Sequence, residues 1–159
     1  MRVSCNLTEG ANLDRIIVAS TPLNSYSTGM AKTLNYEKLK KNMNDWPNRW
    51  AGDDSDLPIG GKIVQTMHSF LLAMMEDGLA PTTINRHLDN LWFFGGEIIC
   101  RVHDERKLKQ ASGDELILRF VDEEGGPLSK HLSTEEEQKP FDGTCRKFYR
   151  FLEKASKDE

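Results

Sequence analysis

Between Ile84 and Val102 the positions Ile84, Leu88, Leu91, Gly95, Ile98 and Val102 recur at intervals of 4, 3, 4, 3 and 4. Only a helical period of about 3.6 keeps such a set on one face. A half-buried strand would alternate every second residue, and no segment of this sequence sustains that alternation. The same signature returns three times. Tyr36, Leu39, Met43, Trp46 and Trp50 form one stripe; Ile63, Met67, Phe70, Leu71 and Met74 form a second; Phe141, Cys145, Phe148, Leu152 and Ala155 form a third. Helices that are apolar on one stripe must bury it against each other, so the fold class is all-α, a compact bundle of about five helices arranged as two helical hairpins.

Punctuation residues set the expected boundaries. Pro47 interrupts the first stripe and opens a new turn. Gly52 to Asp56 is a loop. A second helix runs from about Gly61 to Asp77 with Gly78 as its left-handed C-terminal cap. Pro81, Thr82 and Thr83 open the third helix, with a threonine expected as its cap. Two adjacent glycines inside a helix cost about 2 kcal/mol against alanine, so Gly95-Gly96 predicts that another helix crosses there too closely for a side chain. Ser112 and Glu115 spell a capping box leading into Leu116, Ile117, Phe120 and Val121, and that helix must stop by Gly125-Gly126-Pro127. Ser133 and Glu136 repeat the motif, and Pro140 predicts that the last helix begins near it. Residues 1–33 are rich in Ser, Thr, Asn and Gly, a composition that does not repay its ordering entropy, and are expected to form a flexible N-terminal arm before a domain at 34–159.

Composition excludes several classes. The longest uninterrupted apolar run, Phe70 to Met75, has 6 residues, against roughly 20 for a bilayer span, and the first ten residues carry no apolar secretory stretch. Three cysteines, Cys5, Cys100 and Cys145, are too few and too odd in number for a disulfide framework; they point to a reducing compartment and a cytoplasmic location. The 21 Lys and Arg against 25 Asp and Glu leave a net charge of −4, so the chain is not a generally basic nucleic-acid binder. The surplus acid lies in residues 111–159, with 8 basic against 12 acidic side chains. Much of it falls in Asp122-Glu123-Glu124 and Glu135-Glu136-Glu137. A nucleic-acid face would have to be local.

Two stretches bear a resemblance. Phe70-Leu71-Leu72, Glu76-Asp77-Gly78-Leu79-Ala80-Pro81-Thr82-Thr83-Ile84-Asn85-Arg86-His87-Leu88 and Phe93-Phe94 are followed by Asp114-Glu115-Leu116, Phe120 and Cys145-Arg146-Lys147-Phe148-Tyr149-Arg150-Phe151-Leu152. In this order they resemble the N-terminal core-binding (SAM-like) domain of tyrosine recombinases, the phage-integrase family, over roughly residues 60–155. The resemblance implies a non-enzymatic helical clamp on duplex DNA, with basic side chains and helix ends on phosphates. The family's catalytic domain is not found in this sequence. His103-Asp104-Glu105-Arg106 spells the family's His-x-x-Arg and Tyr149 follows, but both fall inside the core-binding part, so strand cleavage is not expected.

The candidate DNA-binding residues form two groups. Arg146, Arg150 and Lys154 are spaced four apart on one face of the last helix with Lys147 beside them, a stripe that would neutralise phosphates or be an ordinary solvated face. Thr82, Thr83, Asn85 and Arg86 stand at a helix start, where free backbone N–H groups suit a phosphate and Asn and Arg reach base edges; simple capping is their structural reading. Cys100 and His103 have the spacing of half a zinc site without a second pair, and read as a buried thiol and a surface imidazole. No metal and no cofactor is assigned. Phe93 lies off the Ile84 seam and would suit a partner contact. The expected partner is duplex DNA, and the alternative is a protein partner in DNA processing, the chain serving as an adaptor.

Overall fold

The computed structural model describes residues 34–159, which form six α-helical segments and two 3₁₀ turns with no strand among them. The expected arm, residues 1–33, lies outside the described residues. Helix α1 is Tyr36–Met43, α2 is Trp46–Trp50, α3 is Leu57–Glu76, α4 is Pro81–Asp104, α5 is Gly113–Leu118 and α6 is Glu135–Lys157. The 3₁₀ turns are Asp54–Asp56 and Arg106–Gln110. Four of the six helices are long enough to carry whole apolar stripes, and the two short ones close gaps between them. No described helix is long and apolar enough to cross a membrane.

Helix α3 is the central post. It packs on α1, α2, α4 and α5, while α4 also packs on α2 and α6. The stripes meet where the spacing puts them: Ile63, Met67, Phe70, Leu71, Met74, Ile84, Leu91, Phe141 and Phe148 are all essentially inaccessible. Phe70 stacks on Phe148 with ring centroids 4.5 Å apart, joining α3 to α6. Phe141 meets Phe94 edge-on at 6.1 Å, joining α6 to α4. These contacts place Lys147, Arg150 and Lys154 beside the C-terminal end of α3.

Most helix ends follow the expected chemistry. Gly78 takes φ of 73°, and Gly78 N–H and Leu79 N–H donate to the carbonyls of Met75 and Met74, the two bonds of a Schellman ending. Ser112 and Glu115 form their reciprocal box, at 3.2 Å from Glu115 N–H to Ser112 Oγ and 2.8 Å from Ser112 N–H to Glu115 Oε2. The first stripe breaks at Asn44-Asp45, with Pro47 in the first turn of α2.

Four expectations change. Helix α3 begins at Leu57 rather than near Gly61: the Asp53–Asp56 capping box opens the 3₁₀ turn Asp54–Asp56, which leads directly into α3, and Pro58 sits in the first turn of α3. Helix α4 is capped by Ala80 and no side chain, so neither Thr82 nor Thr83 is its cap; Pro81 holds the first helical position and needs no N–H partner. Helix α4 runs unbroken through Gly95-Gly96, and what crosses there is the edge of the Trp50 indole: a Cβ on Gly95 would lie 2.3 Å from Trp50 Cη2. Helix α6 begins at Glu135, capped by Thr134 with Glu137, and Pro140 sits inside it at the cost of one helical hydrogen bond.

Candidate nucleic-acid interface

One hydrogen-bonded junction joins the first turns of α4 to the middle of α6. His87 Nδ1 lies 2.8 Å from Thr144 Oγ1, and Asn90 Nδ2 donates to that same oxygen at 2.8 Å and to the Pro140 carbonyl at 3.1 Å. Arg86 and Lys147 flank the junction. Burial, followed by the positive charges of Lys147 and Arg86, holds His87 below the ordinary imidazole range. Two cations some sixty positions apart in the chain thus act on one ring. The start of α4 and the middle of α6 are joined at His87 and Asn90, and a basic residue of each helix acts on the His87 ring.

A groove runs between the end of α3 and α6, and Lys147 lines it too. Its floor is Phe70, Met74 and Phe151, and its α6 wall carries Lys147, Arg150 and Lys154. Its α3 wall carries Glu76 and Asp77, and Asp158 closes the far end. The ion pairs among the described residues lie elsewhere: Arg49 with Asp45, Arg101 with Glu97 and Lys139 with Glu135, while the His103 ring lies near Asp53 and Asp56. None of them uses Arg86, Lys147, Arg150 or Lys154.

The eight residues expected to touch DNA divide accordingly. Thr82, Arg86, Arg150 and Lys154 are exposed, and Thr83 and Lys147 are half-buried. With no side-chain cap ahead of them, the first-turn N–H groups of α4 are left for solvent or an anion. Asn85 is corrected: it is buried, 7% accessible, so it does not face a groove of DNA. Arg146 is also drawn away from the stripe, because its guanidinium donates to the Glu124 carbonyl at 3.0 Å in the loop before α6. That loop is tied down on its other side, where the buried Ser129 hydroxyl donates to Glu97 Oε1 at 2.8 Å and Arg101 donates to the Leu128 carbonyl.

Other sequence candidates resolve plainly. Phe93 is half-buried, edge-on to Phe141 at 5.3 Å, and so belongs to the α4–α6 seam more than to a partner surface. Tyr149 donates to Glu153 Oε1 at 2.9 Å on its own helix, and that bond raises its phenol above the usual range. Cys145 is a buried free thiol, pushed up by burial. Cys100 is disulfide-bonded rather than the buried thiol expected, and is no zinc ligand. His103 turns instead toward Asp53 and Asp56. Sequence reasoning missed His87, Asn90 and Thr144 as the junction, and Glu76 and Asp77 as the opposing wall. Each is an ordinary polar residue on its own helix, and only the packing of α3, α4 and α6 gives it a role.

No protein-family model, no curated protein and no solved structure matches this chain.

Proposed function

We propose that the chain is a non-enzymatic α-helical DNA-binding module, similar to the core-binding domain of tyrosine recombinases, that contacts duplex DNA through the corner shared by the start of α4 and the middle of α6. The observation that supports this reading is the convergence of Arg86 and Lys147 on His87, continued along α6 by Arg150 and Lys154. Four cations outside any ion pair among the described residues, with Arg86 in the first turns of a helix that has no side-chain cap, suit phosphates better than a small neutral ligand. The contact is to the backbone. With Asn85 buried, the helix start has no side chain that pairs with an adenine edge at two points, and only Arg86 and Thr82 stand exposed toward bases, so binding is weak and tolerant of sequence.

A titration of the full chain onto a mixed-sequence duplex, followed by gel shift at low and at moderate salt, tests this. Retardation at low salt that fades at moderate salt is expected, and Arg86→Glu with Arg150→Glu abolishes it while the helical circular dichroism is unchanged. No retardation at low salt contradicts the proposal.

The same groove supports a second reading as a protein-binding adaptor. Its apolar floor and its walls of opposite charge suit an amphipathic helix that carries acid on one flank and base on the other. Under this reading duplex binding is absent at every salt concentration.

A further inference from the structure

The last turn of α4 and the 3₁₀ turn before α3 bring together three side chains that the DNA-binding reading does not use. His103 Nδ1 lies 3.4 Å from Asp56 Oδ2 and 3.9 Å from Asp53 Oδ2. One donor atom from each of the three residues falls within 4.8 Å of the other two.

The arrangement is held from outside. Asp53 Oδ1 accepts from Ser55 N–H at 2.7 Å and from the Ser55 hydroxyl, which leaves Oδ2 as the oxygen turned to His103. Asp56 Oδ2 accepts from the N–H groups of Gly52 at 2.9 Å and Asp53 at 3.3 Å. Asp56 is 1% accessible, yet its Oδ1 has no hydrogen-bond partner, and neither has His103 Nδ1. A buried carboxylate oxygen and a buried imidazole nitrogen left unmatched are each costly, and native folds supply such groups with a partner.

We propose that Asp53, Asp56 and His103 bind a divalent first-row transition cation. Such an ion holds nitrogen and oxygen donors at about 2.0–2.2 Å, so two donors on one ion stand about 3–4 Å apart, as His103 Nδ1 does from each carboxylate oxygen. One imidazole with two carboxylates suits zinc, manganese, iron or cobalt, whereas magnesium and calcium take oxygen donors alone. The ion gives the unmatched His103 Nδ1 a partner and clips the turn at 52–56 to the end of α4. Three protein ligands leave coordination positions open toward a pocket rimmed by Arg106, Lys109 and Gln110. Those two cations moderate the affinity, and Lys109 is already engaged, donating to Ser55 Oγ at 2.9 Å. The competing arrangement is an imidazolium paired with the two carboxylates and no metal.

Isothermal titration of the full chain with zinc, and optical titration with cobalt, distinguish the two. Saturable binding of one ion per chain is expected, with cobalt bands showing nitrogen ligation. His103→Ala should weaken it at least thirtyfold. Asp56→Asn tests the buried ligand; Asp53 is the N-cap of the same box, where asparagine caps as well as aspartate, so the exposed Asp53→Asn serves as a second variant that keeps the fold and still weakens binding about tenfold. No saturable binding up to millimolar metal, or binding that survives His103→Ala and Asp53→Asn alike, overturns the proposal and leaves the imidazolium pair.

Discussion

Gly95 shows how a single absent side chain sets the geometry of this fold. Its face of α4 receives the Trp50 ring, and a Cβ would come 2.3 Å from it. Gly95→Ala gains about 1 kcal/mol of helix propensity and loses about 3 kcal/mol to overpacking. A net destabilisation of about 2 kcal/mol is expected in urea unfolding, and an unchanged or raised midpoint contradicts the Trp50 contact. His87 carries a charge prediction. Its native imidazole is held below the ordinary range by burial and by Lys147 and Arg86, so the unfolded chain takes up a proton first as pH falls below about 6.5. Stability is therefore full above that value and declines as pH falls toward the native one. His68, lowered by burial and by Lys40, adds a decline of the same sign. Thermal unfolding between about pH 7 and pH 5 should show a shallower decline in His87→Gln than in the parent, and an unchanged slope counts against the buried junction.

The helices themselves were largely legible in the sequence, because they are set by spacing and by caps. The stripes at Ile63, Ile84 and Phe141 are the buried faces of α3, α4 and α6, except that Ala155 at the end of the last is exposed, and the Ser112–Glu115 box and the Gly78 ending stand where short-range chemistry puts them. The errors are of one kind. At Ser133-Thr134 two hydroxyl residues stand side by side with acids three positions on, and the winner is Thr134, because Glu137 also accepts from Ser133 N–H at 2.9 Å. At Pro81 a proline in the first helical position makes a threonine cap unnecessary. At Pro140 tertiary packing of Phe141 outweighs one lost hydrogen bond. Thr134→Ala is expected to lower stability by about 1 kcal/mol, measured by chemical denaturation, whereas Ser133→Ala should change it by about half as much or less. The reverse order would restore the original assignment.

At the scale of the whole molecule the candidate surface was only half legible. The α6 stripe follows from spacing of four, but its meeting with Arg86 depends on how α4 crosses α6, and no local pattern encodes that crossing. The Glu76 and Asp77 wall was equally hidden, since both residues read as the polar end of α3. Their position gives a direct expectation: Glu76→Gln with Asp77→Asn removes like charge from the approach of a phosphate and should tighten duplex binding severalfold. Fluorescence anisotropy checks it, and weaker binding would mean that the acids take part in recognition of a protein instead.

The most direct measurement of the central claim is the salt dependence of duplex affinity, by anisotropy on the full chain and on the Arg86→Glu, Lys147→Glu, Arg150→Glu, Lys154→Glu variant. Release of counterions from about four phosphate contacts gives a slope of about −3.6 for the logarithm of affinity against that of salt, with the variant losing binding altogether. A slope near zero, or a variant that binds as the parent does, contradicts it.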